Sequence, residues 1–92
     1  MKHAGKEALR QLEHVLVELR SLNGLKEKSE GVFYWRSRAC LHFHEDPAGL
    51  FVDLRLSGDD FTRWPVNTAA EQRKLVRAVQ TAVGRGKMER CR

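Results

Sequence analysis

The sequence predicts a single α+β domain: one helix, four strands, one helix, with an antiparallel sheet and two helices packed on one face. Three observations carry this. Leucines recur at spacings of three and four in the first quarter; apolar residues alternate with period two from Val32 to Trp64; helical spacing returns after Thr68. Ninety-two residues, 41% hydrophobic and 32% charged, suffice for one such domain and not for two. No apolar run exceeds four residues, against about 20 for a membrane span. No leader-like apolar stretch follows Met1–Lys6, and Cys40 and Cys91 make no disulfide framework, so the expected setting is a reduced cytoplasm.

The first helix is expected over residues 5–22. Leu9, Leu12, Leu16 and Leu19 form its stripe, widened by Ala8, Val15 and Leu22, and Asn23-Gly24 ends it because both residues tolerate left-handed backbone. Val32-Phe33-Tyr34-Trp35 is β-branched and aromatic and reads as a strand. Cys40–Glu45 and Leu50–Leu56 alternate on either side of Asp46-Pro47-Ala48-Gly49, a turn in which Pro sets φ and Gly closes the loop. With no bulge, that turn pairs Leu41 with Leu54, His42 with Asp53, Phe43 with Val52 and His44 with Phe51. The apolar pairs then share one face, and a slip by one residue would set leucines opposite histidines. Ser57-Gly58-Asp59-Asp60 makes a second turn into Phe61–Trp64, and Pro65, which has no amide donor, confines that strand to an edge. Thr68 and Glu71 form a capping-box pair before a helix over 69–83, with Leu75, Val76, Val79, Ala82 and Val83 facing the core. The domain is thus expected over 1–83, followed by a basic flexible tail, 84–92.

This element order and three segments resemble the small bacterial YjbR/MmcQ-type proteins. The segments are Gly31–Arg36 running on through Ser37-Arg38 into an apolar strand, the following strand pair through Leu50–Leu56, and Arg63-Trp64-Pro65-Val66 with the helix Glu71–Val83. The resemblance implies the same α+β fold and, since DNA binding has been suggested for that family, contact with nucleic acid. His42-Phe43-His44-Glu45 and Pro65 depart from the family pattern.

Charge favours the same partner. The net charge of +5 lies in residues 67–92, which hold seven basic and two acidic side chains. Arg73, Lys74, Arg77, Arg85, Lys87 and Arg90 are therefore the candidate nucleic-acid-binding residues, touching phosphates without reading sequence. The alternative is a homodimeric or partner-binding module that uses the second face of the sheet, carrying Cys40, His42, His44, Phe51, Asp53 and Arg55. A third reading is a ligand or metal site around His42, His44 and Asp53. Same-face neighbours on a strand lie about 6.6–6.8 Å apart, so Cys40 and His44, roughly 13 Å apart, cannot share an ion; two adjacent members of Cys40, His42 and His44 can join with Asp53 as a third ligand, and a fourth has to come from outside the hairpin. His3 and His14 are expected to be exposed and without a role. His44-Glu45 lacks the second histidine of H-E-x-x-H, and Gly84-Arg85-Gly86-Lys87 lacks the P-loop's first glycine. No nucleophile elbow is present, so no catalytic residue, metal or cofactor is assigned, and the chain reads as non-enzymatic.

Overall fold

The computed structural model describes residues 2–35, 37–56 and 58–84. The elements are β1 (Lys2–His3), α1 (Lys6–Gln11), α2 (Glu13–Arg20), β2 (Leu25–Ser29), β3 (Val32–Trp35), β4 (Arg38–Asp46), β5 (Gly49–Leu54), β6 (Thr62–Pro65) and α3 (Ala69–Gly84). All strands pair antiparallel in the order β2-β3-β4-β5-β6, and β1 pairs with the far end of β4, beyond the reach of β3. The α+β class, the antiparallel sheet and the helices on one face are as the sequence predicts. The expected basic tail lies outside the described residues, except for Gly84, which ends α3.

The central hairpin adopts the expected register, Leu41 opposite Leu54, His42 opposite Asp53, Phe43 opposite Val52 and His44 opposite Phe51. Its turn is held by the Ala48 amide, which donates to Asp46 Oδ2 at 3.0 Å. β6 is the edge strand that Pro65 requires. At the start of α3 the capping box is formed: the Glu71 amide donates to Thr68 Oγ1 at 3.1 Å, and Glu71 Oε1 accepts from the amides of Asn67 and Thr68 at 2.8 and 3.1 Å. The core lies between the sheet and the helices. Leu9, Leu12, Leu16 and Leu19 meet Leu75, Val79 and Ala82 above Phe33, Trp35, Leu41, Phe43, Val52 and Leu54.

Three expectations need correction. The helix expected over 5–22 is two helices, because at Leu12 (φ −103°, ψ 12°) the chain tightens and the Leu12 amide donates to Leu9 O, three residues back. Leu9, Leu12, Val15, Leu16 and Leu19 remain buried on one side across the tight turn. The sheet has six strands, not four. β1 is only two residues long, and β2 (Leu25-Lys26-Glu27-Lys28-Ser29) buries Leu25 alone, as befits an edge strand protected by lysines. Finally, β4 carries a bulge opposite β3, where pairing passes from Phe33–Leu41 to Tyr34–Ala39 and leaves Cys40 extra. The bulge turns Cys40 into the core, 3% exposed, away from the face expected to carry it with His42 and His44. There its Sγ contacts Phe33 O at 3.5 Å, and burial pushes the thiol up to about 11, against a smaller opposing effect of Arg55.

Chain entry into the β2–β3 hairpin depends on a close approach at Gly24 and on the hydrogen bonds of Glu27. Gly24 has φ +90°, and a Cβ there would lie 2.7 Å from the Trp35 ring. Glu27 then ties the hairpin to α2: Arg20 Nε and Nη2 donate to it at 2.5 and 3.1 Å, and the Gly31 amide donates to Oε2 at 3.0 Å. Burial alone would raise the Glu27 pKa, but the Arg20 hydrogen bonds, the Gly31 amide and the Arg20 charge together hold it below its ordinary 4.5. A carboxyl depressed in the folded state stabilises fully above its unfolded pKa, and that contribution disappears as pH falls through the folded value. The urea midpoint is therefore expected to drop below about pH 5, and Glu27→Gln to make the drop shallower. Parallel curves for the two proteins would show that this carboxylate does not couple the hairpin to α2.

Candidate functional site

Alternation along β4 sends His42 and His44 to the helix-free face of the sheet, beside Asp53 on β5. β1 adds a third imidazole. Lys2 pairs with Glu45 and His3 with His44, so a residue 41 positions away in sequence comes to lie on the same patch. The strand is anchored by the Ala4 amide to Phe43 O (3.0 Å), the Gly5 amide to Glu45 Oε1 (3.0 Å) and the Lys2–Glu45 ion pair (3.5 Å).

The three rings are in mutual contact. Ring centroids are 4.6 Å apart for His42–His44, 5.1 Å for His3–His44 and 5.6 Å for His3–His42, and one nitrogen from each lies within 4.8 Å of the others. Among the described residues this is the only group of three metal-capable side chains so close together. Phe61 packs edge-on to His42 at 5.0 Å, and the Arg55 guanidinium lies 4.4 Å over Phe61 while donating to Asp59 O and Ala39 O. With β1 at one end and Phe61 at the other, this face is less open than strand alternation alone suggests. His44 and Asp53 are buried, and His42, Phe51 and Arg55 are half-buried.

Below the rings, Arg63 on β6 grips Asp53 with both nitrogens, Nε–Oδ1 at 2.7 Å and Nη2–Oδ2 at 2.8 Å, as their cross-strand pairing allows. These hydrogen bonds outweigh burial and hold the Asp53 carboxyl below its usual range. Asp53 Oδ2 also sits 3.1 Å from His44 Nε2, too far off line to count as a hydrogen bond but close enough to fix which side of the ring faces the carboxylate. The opposite nitrogen, His44 Nδ1, is buried without a hydrogen-bond partner, and so is His42 Nδ1. Burial, then the neighbouring His44, lower the pKa of His42, with Asp53 opposing. Unpartnered buried imidazole nitrogens are costly unless something binds them.

The arrangement has the chemistry of a transition-metal site. Imidazole nitrogen suits zinc, copper and nickel. Four-coordinate zinc at 2.0–2.1 Å from each nitrogen sets the nitrogens about 3.3 Å apart, so the three side chains would close in by about an ångström or more. His3, exposed on a two-residue strand, has room to do so. Asp53 Oδ2, 3.1 Å from His44 Nε2, stands where the carboxylate that orients a metal-bound histidine would stand.

Of the residues the sequence predicts here, His42, His44 and Asp53 come together and Cys40 lies in the core, while His3 and Arg63 join the site from strands whose pairing the sequence does not predict. The basic residues of α3 do not form one cluster. Lys74 Nζ lies 5.0 Å over the Trp64 ring, whereas Arg73 and Arg77 line a groove with His14 and Glu18 of α2. Arg85, Lys87 and Arg90 lie outside the described residues. No described helix is long and apolar enough to cross a membrane.

Fold and site together define an α+β domain with a tri-histidine patch on the helix-free face of its sheet. No family model, curated protein or solved structure matches the chain.

Proposed function

We propose that this protein is a small metal-binding domain that takes one divalent transition metal ion, zinc in the first instance, through His3, His42 and His44. The observation that carries this reading is the convergence of three imidazoles from two separate segments, with Nδ1 of both His42 and His44 buried and unpartnered. Asp53, gripped by Arg63, serves as the carboxylate that sets the orientation of His44. The absence of oxygen donors from the cluster disfavours magnesium and calcium. This reading stands ahead of phosphate contact because the three histidines converge on one another, whereas Lys74 lies over Trp64, apart from the groove that Arg73 and Arg77 share with Glu18.

Isothermal titration of untagged protein with zinc is expected to give one ion per chain. Loss of a second-layer partner typically costs 10–100-fold in metal affinity, so loss of a ligand in His42→Ala or His44→Ala is expected to cost at least about 100-fold. Absence of zinc binding by the folded wild-type protein would leave the rings as an aromatic cluster with Phe61 and overturn the proposal.

A further inference from the structure

If three imidazoles hold the ion, the fourth position needs a donor, and the nearby candidates are already engaged. Both Asp53 oxygens are held by Arg63. Glu45 accepts from the Gly5 amide through Oε1 and pairs with Lys2 through Oε2. Cys40 is in the core on the opposite face of the sheet. No further His, Cys, Asp or Glu among the described residues joins the cluster.

Zinc sites closed by four protein ligands are structural, whereas those with three protein ligands keep a position for water or an exogenous ligand. Resting on the metal-binding reading above, we infer that the ion held by His3, His42 and His44 keeps one coordination position open to solvent, and that this position takes a small monodentate anion.

Two further observations support an anion there. Three neutral imidazoles leave both positive charges of the ion uncompensated, and the one carboxylate against the cluster, Asp53, is already neutralised by Arg63. His3 is exposed, so the ion's outer side is reachable from solvent, while the Asp53 side is closed by Arg63.

Cobalt(II), a spectroscopic stand-in for zinc, separates this inference from the reading it rests on. Wild-type protein loaded with cobalt is titrated with sodium azide and followed by visible absorption, and then with excess zinc as a competitor. The expected result is a cobalt band that shifts and gains or loses intensity with azide, saturating at one azide per cobalt, and disappears when zinc displaces the ion. A cobalt band that zinc displaces but azide leaves unmoved would mean that the chain itself closes the fourth position. That outcome overturns the open-site inference and leaves the metal-binding reading standing. Failure of the folded protein to take up either cobalt or zinc overturns both.

Discussion

Phe43→Ala is expected to lower folding stability by about 3–5 kcal/mol, while His42→Ala, the preceding residue on the same strand, is expected to lower it by about 1 kcal/mol or less. Phe43 is 1% exposed, opposite Val52, and belongs to the core cluster that the sheet forms with the helices. Removing its ring deletes buried area and leaves a cavity that the surrounding sheet cannot close. His42 is half-buried on the other face, where its neighbours are two imidazoles, Phe61 and no helix. A domain of this size has roughly 5–14 kcal/mol of total stability, so the first substitution removes a large share of it and the second does not. Urea denaturation with both midpoint and slope checks this. Equal losses for the two variants would mean that the faces of β4 do not divide stability from the site, and a metal-binding defect in His42→Ala could then be no more than unfolding.

Much of this division was legible in the sequence. The β4–β5 hairpin was readable because Asp46–Gly49 is a strong turn and because only one register puts Leu41, Phe43, Val52 and Leu54 on the same face. α3 was readable because its cap and its apolar spacing agree. β2 was not, since an edge strand with one buried side chain carries no hydrophobic alternation; its signal was a pair of turn glycines, Gly24 and Gly31, on either side of it. The break at Leu12 left no mark either, because a tightened turn keeps the three-and-four spacing of leucines.

The site divides in the same way. His42, His44 and Asp53 follow from hairpin register, which is local. His3 depends on β1 reaching the part of β4 that β3 leaves unpaired, and a two-residue strand has no periodicity to announce it. Arg63 follows from the pairing of β5 with β6 across a long turn, where register cannot be read from turn type. Cys40 was misplaced because strict alternation assumes an unbroken ladder, and a single extra residue reverses the facing of everything on one side of it. The one usable hint was that Ala39-Cys40-Leu41 is a run of three apolar residues in an otherwise alternating strand.

Zinc is expected to raise the thermal midpoint of the wild-type protein by about 10–20 °C when free zinc is 100-fold above its dissociation constant. A ligand at that excess stabilises the folded state by about 2.7 kcal/mol, and in a domain of this size each kcal/mol moves the midpoint by about 4–8 °C. The sign is fixed by topology. His42 and His44 are close in the unfolded chain as well, but His3 meets them only when β1 is docked on β4, so the complete ligand set exists in the folded state alone. Residual zinc binding by the unfolded chain through His42 and His44 subtracts from the shift and sets its lower end. His3→Ala is therefore the informative variant: it keeps the two adjacent imidazoles, loses the ligand that depends on folding, and should lose most of the shift while unfolding normally in the absence of zinc. His44→Ala should lose it entirely, and a chelator should return wild-type protein to its metal-free midpoint. Magnesium should move nothing. A wild-type midpoint unchanged by zinc, or a shift that survives in both His3→Ala and His44→Ala, would place the ion elsewhere and remove the tri-histidine patch as the site.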